Sequence, residues 1–416
     1  MKQYDNYKES GIEWIGEIPS HWKVIPFKHC MAINNGRDYK SIQTEEGYPV
    51  MGSGGQFACA SQFIYDGEVV LLGRKGTIDK PLYFNGRFWT VDTMFYAIPK
   101  RDFCCRFMYY LALTFPYDYY ATSTALPSMT QSDLGSNPIS VPNLMEQQSI
   151  ANYLDAQCKK IDNVIAALQK RIELLQELKQ SIITRAVTQG INPNVKLKDS
   201  EVEWINTIPQ NWIIAPLKSI GTMFKGVTFT KAELVDEGTP VISYGQIHSK
   251  ENKGTKLNES LIRYIPNSLI QNAHSSLVGK GDFIFADTSE DLEGSGNAVY
   301  IDKDCQIYGG YHTIVFRTES LQNKYFAYLF LTDSWRSQIR SRVSGVKVYS
   351  ITQSILSTTK VIIPPPEEQQ VISNYLDDKC DKIDSSIAKA HHQIDLLKEY
   401  KQSLITEVVT GKRKVC

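Results

Sequence analysis

Gly73-Arg74-Lys75-Gly76-Thr77 is the stretch of this chain that comes nearest to a phosphate-cradling loop. A loop that grips ATP follows Gly-x-x-x-x-Gly-Lys-[Ser/Thr], long enough for several backbone N–H groups to converge on the phosphates. This stretch is too short, and no obvious acidic metal ligand follows it. Asn137-Pro138-Ile139-Ser140 lacks the aromatic residue with which a base-methylating site holds a flipped base, since a ring must replace the stacking lost from the duplex. There is no Gly-x-Ser-x-Gly nucleophile elbow. Asp287, Glu290, Asp291 and Glu293 form an acidic loop that reads as a metal cage or, more simply, as a solvated turn, because carboxylate runs usually face water. No catalyst assembles from these residues, so the chain is expected not to be an enzyme and to bind no cofactor or metal of its own.

The cations point to binding instead. Residues 334–366 hold Arg336, Arg340, Arg342, Lys347 and Lys360 without an acid, and residues 71–89 hold Arg74, Lys75, Lys80 and Arg87 against only Asp79. Basic side chains beside Gly and Ser in loops suit phosphate contact and guanine reading, though an ordinary basic surface patch gives the same pattern. The candidate DNA contacts are therefore Arg74, Lys75, Lys80 and Ser128 in the first half, and Arg340, Arg342, Lys347 and Ser350 in the second. The whole chain balances 45 Lys and Arg against 45 Asp and Glu, which excludes a polybasic nucleic-acid coat. An apolar content of 42% excludes a disordered charged tail. The charge balance also holds within each half, so any grip on phosphate is expected to be local.

No apolar run approaches the roughly 20 residues that span a bilayer, and residues 1–10 are polar without a signal core, so a cytoplasmic protein with no membrane contact is expected. The 8 cysteines are scattered without a Cys-x-x-Cys pair, which fits a reducing compartment. His391 and His392 are neighbours on a predicted helix and belong on its wet face.

These loops need a frame, and the chain writes that frame twice. Gly11-Ile12-Glu13-Trp14-Ile15-Gly16-Glu17-Ile18-Pro19-Ser20-His21-Trp22 returns as Glu201-Val202-Glu203-Trp204-Ile205-Asn206-Thr207-Ile208-Pro209-Gln210-Asn211-Trp212. A longer repeat matches residues 146–190 to 368–412, identical at more than half of its positions: Glu146-Gln147-Gln148 returns as Glu368-Gln369-Gln370, Asn152-Tyr153-Leu154-Asp155 as Asn374-Tyr375-Leu376-Asp377, and Lys179-Gln180-Ser181 as Lys401-Gln402-Ser403. Finding such repeats comes before any other reading of a fold.

Inside the longer repeat, Ile161, Ile165, Leu168, Ile172 and Leu175 step alternately by four and three, and Ile383, Ile387, Ala390, Ile394 and Leu397 do the same. That is an a/d seam, so each segment is predicted as a long helix packed along another. The two seams pair most economically with each other; alternatively each helix packs on its own globular domain. Asn143 with Glu146 predicts a capping box at the start of the first helix, and Gly190 and Gly411 predict the two ends. The stretches before the helices are rich in aromatic and β-branched residues broken by Gly and Pro. Val69-Val70-Leu71-Leu72 and its counterpart Phe283-Ile284-Phe285-Ala286 read as buried strands, and 107–113 and 325–331 as short helices. The fold class is α+β: two related α+β domains with diverged loops, each followed by a long helix.

The repeated Glu-Trp-Ile opening, the leads Val141-Pro142-Asn143 and Ile363-Pro364-Pro365-Pro366 into Glu-Gln-Gln, and the helices ending in Lys-Gln-Ser together resemble the specificity subunit of a type I restriction–modification enzyme. The resemblance runs through essentially the whole chain. It implies a pseudo-twofold arrangement with an N-terminal segment at 1–21, a target recognition domain at 22–142, a long helix at 143–190, a linker at 191–212, a second recognition domain at 213–364 and a second helix at 365–416. It implies that the helices pack antiparallel as a spacer and that each domain reads one half of a bipartite, asymmetric site in double-stranded DNA. It further implies two methyltransferase subunits carrying S-adenosylmethionine, and restriction subunits using ATP and Mg. One segment departs from the repeat: Lys347 aligns with Ala125, so contacts there are expected to differ between the domains. A coiled-coil interaction scaffold without DNA recognition is the alternative.

Overall fold

The computed structural model describes residues 3–120, 127–271, 273–318, 324–345 and 347–415; Ala125, Val346 and Cys416 lie outside the described residues. The predicted long helices are Leu144–Gln189 and Pro366–Val409, each close to 70 Å at about 1.5 Å per residue. Gly190 and Gly411 stand just past their ends at φ +77° and +76°, the left-handed conformation that closes a helix with least strain when no Cβ is present.

At the start of the first helix, the Asn143 carboxamide oxygen accepts the Glu146 backbone N–H at 3.0 Å. The reciprocal half of the expected capping box is different. The Glu146 carboxylate accepts hydrogen bonds from the Tyr4 hydroxyl at 2.8 Å and the Trp22 indole at 3.2 Å. These buried donors need an acceptor more than an exposed helix N–H does.

The chain forms two compact units, residues 1–170 with 390–416, and residues 171–389. Each unit contains one α+β domain and a piece of both long helices. In the first, Ile150, Leu154, Cys158 and Ile161 share a core with Leu404, Ile405 and Val408, and Asp162 binds Lys401 at 2.7 Å. In the second, Ile183 and Val187 share a core with Ile372, Leu376 and Cys380, and Lys179 binds Asp384 at 2.7 Å. Within each unit the two helix pieces therefore run antiparallel, and both pack on the domain as well as on each other. Ile161, Ile172, Ile383, Ala390 and Ile394 are buried; Ile165, Leu168, Leu175, Ile387 and Leu397 are half-buried. His391 and His392 are exposed, as the period requires.

Both domains contain the same four strands in the same order. In the first, Met31–Asn35, Met94–Pro99, Tyr65–Gly73 and Leu82–Thr90 lie side by side; in the second, Gly221–Lys225, Thr313–Thr318, Phe283–Ala286 and Ala298–Tyr300. In the first domain the sheet continues through Tyr48–Gly52, which pairs parallel to Leu82–Thr90. In the second, Thr239–Ile242 joins a separate four-stranded sheet. The register departs from the sequence alignment by one residue. Val70 opposes Ala97 as Phe283 opposes Phe316, so Val70 rather than Val69 is the counterpart of Phe283. Both runs are buried on both faces, so no alternation marks which side chain faces which way.

Among the described residues every cysteine is free. Burial pushes the Cys30 thiol up to about 12 and raises Cys105 above its usual range. A thiol so raised stays protonated, and only the thiolate is a competent nucleophile. Iodoacetamide at pH 8 should therefore label Cys59 in the folded chain while sparing Cys30 and Cys105, with peptide mass mapping as the readout; equal labelling of all three would contradict their burial. No helix among the described residues is long and apolar enough to cross a membrane.

Candidate nucleic-acid interface

The frame that presents the loops is pinned at equivalent points in the two units. Trp22 and Trp212 are fully buried. The Trp22 indole reaches Glu146 at the start of the first long helix, and a Cβ on Gly411, at the end of the second, would stand 3.4 Å from its ring. The Trp212 indole donates to Glu368 at 2.9 Å, and a Cβ on Gly190 would stand 3.4 Å from its ring. Thus the two repeated sequence blocks meet in space, and a tryptophan fills each corner where one helix begins beside the end of the other.

In the first unit three of the four candidate contacts come together. Lys75 bridges to Ser128, the Met129 N–H donates to the Arg74 carbonyl at 3.0 Å, and the Gly76 N–H donates to the Pro127 carbonyl at 2.9 Å. The Arg74 guanidinium lies 5.8 Å from the centre of the Phe95 ring. Lys75 is exposed, and Lys80 is exposed further along the loop that leads into Leu82–Thr90. An exposed ammonium group and a braced guanidinium on one turn can hold phosphate oxygens or present a fork to guanine.

In the second unit the equivalent turn is built differently. Ser350 pairs with Thr288, and the Ile351 N–H donates to the Asp287 carbonyl at 2.7 Å, so Asp287 occupies the place that Arg74 holds in the first unit. The Asp287 carboxylate faces His312 Nδ1 at 3.1 Å and accepts the Thr288 hydroxyl at 2.7 Å. Lys347 is exposed in the turn between Ser344 and Ser350, which bridge to each other. Arg342 donates to the Thr358 hydroxyl at 2.8 Å and is otherwise exposed.

Arg340 is not a free cation. Its side chain is only 16% exposed, and its guanidinium binds Asp333 at 3.1 Å and Glu293 at 3.2 Å. Arg336 donates to the Phe330 carbonyl at 2.8 Å, and burial, followed by the neighbouring Arg340, pulls it down to about 10. Of the acid-free run 334–366, Arg340 is thus neutralised by acids outside it, while Lys347 keeps its charge exposed. The acidic loop is partly consumed in the process: Glu293 serves Arg340, and Asp291 accepts the Gly294 N–H at 2.6 Å. Among the described residues no three His, Cys, Asp or Glu side chains are placed to hold a metal ion. Sequence reasoning missed Asp287 as the counterpart of Arg74. The signal lay in the shared Thr130 and Thr352 caps, which fix the strand before each and hence the turn it pairs with.

The profile of the type I restriction modification DNA specificity domain matches residues 15–176 and again 209–394. The chain is 22% identical over 296 residues to the type I restriction enzyme MjaVIII specificity subunit of Methanocaldococcus jannaschii, covering 70% of this chain and 66% of that one. It is 22% identical to the EcoKI specificity subunit of Escherichia coli K12, over 49% of this chain and 44% of that one. The match thus spans just under two thirds of the first relative's length and less than half of the second's. Its fold is similar to a chain from a study of complex assembly and conformational transition of the type I R-M system, with a TM-score of 0.70 at 15% identity over 94% of this chain and 98% of that one. It is also similar to the HsdS subunit from Thermoanaerobacter tengcongensis, with a TM-score of 0.52 at 15% identity over 97% and 100%. With both profile matches together covering most of its length, the chain belongs to the type I restriction modification DNA specificity domain family.

Proposed function

We propose that this chain is the non-catalytic DNA-reading subunit of a type I restriction–modification complex. Each recognition domain reads one half of a bipartite, asymmetric site in double-stranded DNA. The long helices fix the gap between the half-sites and dock two methyltransferase subunits, to which restriction subunits are added. S-adenosylmethionine and ATP with Mg belong to those partners. The observation that carries this reading is a pair of equal frames bearing unequal turns: Arg74 and Lys75 beside Ser128 in one unit, Asp287 and Thr288 beside Ser350 in the other. Equal frames suit one repeated architecture on a duplex, and opposite charge at the same place suits two different half-sites. Deleting the gene should remove one two-part adenine motif from the cell's methylome, and an unchanged methylome defeats the proposal. A gel shift with the methyltransferase partner present separates it from a scaffold without DNA recognition.

The surface cations have a sharper test. Lys75→Ala and Lys347→Ala should each weaken binding to all sequences alike and lower the salt slope of the assembled complex by about one unit. Arg340→Ala should leave the slope unchanged, because its charge is already spent on Asp333 and Glu293. A slope that falls only for Arg340→Ala would reverse this assignment.

A further inference from the structure

Polar struts join each recognition domain to both long helices, and they are the same in the two units. In the first unit the Tyr110 hydroxyl and the Arg106 Nε both donate to one oxygen of Asp155, at 2.6 and 2.7 Å, while Gln402 on the other helix donates to the Leu113 carbonyl at 3.2 Å. In the second, the Tyr328 hydroxyl and the Lys324 ammonium donate to Asp377, both at 2.6 Å, while Gln180 donates to the Leu331 carbonyl at 3.1 Å. The donors to the aspartates sit on the short helices Cys105–Ala112 and Lys324–Phe330. We propose that Asp155 and Asp377 are positioning residues, each holding its recognition domain at one angle on the helices and so restricting which half-site spacings the complex accepts. This rests on the reading above that the two domains serve one bipartite site.

Much of the remaining contact in the first junction is apolar, although the Cys104 N–H also donates to Gln147 at 2.9 Å, and in the second the Tyr325 hydroxyl donates to the Val187 carbonyl at 2.8 Å. Phe107, Met108 and Leu111 share a core with Leu154, Cys158, Ile405 and Val408. Apolar contact is non-directional and tolerates small tilts, whereas a charge-assisted hydrogen bond fixes distance and angle together. The carboxylates are 40% and 28% exposed, too wet to be major contributors to stability. Yet each takes two donors from a helix of the domain. Burial, and then the bond to the carboxylate, pushes the Tyr110 and Tyr328 hydroxyls well above their usual range, so both remain donors throughout the working pH. In the first unit Arg106 is further braced by the Tyr83 ring, 4.5 Å away, which ties the strut to the strand Leu82–Thr90 of the recognition sheet. In the second, Lys256 adds a tie of its own to Asp381, at 3.2 Å. The attachment is therefore directional at the points where a tilt would start.

The test uses the complex assembled with its methyltransferase subunits and a DNA library in which the half-sites stand at the natural spacing or one to two base pairs away from it. Asp155→Ala and Asp377→Ala should raise methylation at off-spacing sites relative to the natural spacing by about tenfold, the scale on which small losses of positioning act. The half-site bases should be unchanged, and Asp155→Asn, which keeps an acceptor for Tyr110, should fall between wild type and alanine. An unchanged spacing ratio, or altered bases at the same spacing, overturns the proposal. Where the alanine variants fail to assemble, Tyr110→Phe with Tyr328→Phe removes only the two hydroxyls; a widened spacing is again expected, and an unaltered one again overturns it. A wild-type complex that methylates no two-part motif would instead overturn the functional reading and this proposal with it, an outcome visible before any variant is measured.

Discussion

Trp22→Ala should destabilise the first unit by about 3–5 kcal/mol, and Trp212→Ala the second by as much. Each ring is fully buried and fills a corner where the start of one helix, the left-handed glycine at the end of the other and the repeated Ile-Pro segment meet, beside Tyr4 in the first unit and Tyr325 in the second. Truncation loses the transfer energy of the indole and leaves a cavity between helix ends that are held by separate hydrogen-bond ladders and cannot readily collapse. For units of this size the loss lowers the melting temperature on the order of 10 °C. Glu146→Gln keeps an acceptor for the Trp22 N–H and should cost much less, while Glu146→Ala removes the acceptor shared by Trp22 and Tyr4 and should cost about 1–3 kcal/mol. Differential scanning calorimetry decides it. A shift of a degree or less for Trp22→Ala would mean that the corner repacks and that the repeated tryptophan holds nothing in place.

What the sequence disclosed follows from how far apart the interacting residues are. The helices were legible because their signals are local: an alternating step of three and four, Asn143 before the first turn, glycines past the last. The strands were legible as strands, but their register was not, since Val69-Val70-Leu71-Leu72 is buried on both faces and any one-residue shift looks the same. Glu146 was legible only as a cap, because Tyr4 and Trp22 reach it from more than a hundred residues away. Arg340 looked free because both its acids lie outside the window in which the charges were compared, Asp333 one residue before it and Glu293 far upstream. At the recognition turns, Arg74, Lys75 and Ser128 were named from residue type, as basic side chains and a serine in loops, while Asp287 was set aside with the rest of its acidic loop. Asp155 and Asp377 carried a usable signal that periodicity does not weigh. Each is a charged residue off the seam, written identically in both copies, and here each finds its donors on a helix of the recognition domain.

Removing residues 165–171 together with 387–393 should shorten the spacer of the recognised site by about three base pairs and spare both half-sites. One heptad is about 10.5 Å of helix at 1.5 Å per residue, and a base pair rises about 3.4 Å. Taking a whole heptad from each helix keeps the a/d phase, so the seam from Ile161 to Leu175 and from Ile383 to Leu397 can close again without turning a polar face inward. The cuts also spare Asp162, Lys179, Asp384 and Lys401, so both ion pairs keep the residues that form them. Removing the heptad from only one helix should instead prevent assembly, because the apolar steps would then be opposed by one heptad fewer than they need. Methylome sequencing of cells carrying the doubly shortened chain gives the answer directly. Methylation at the original spacing by that variant would show that the helices do not set the gap between the half-sites.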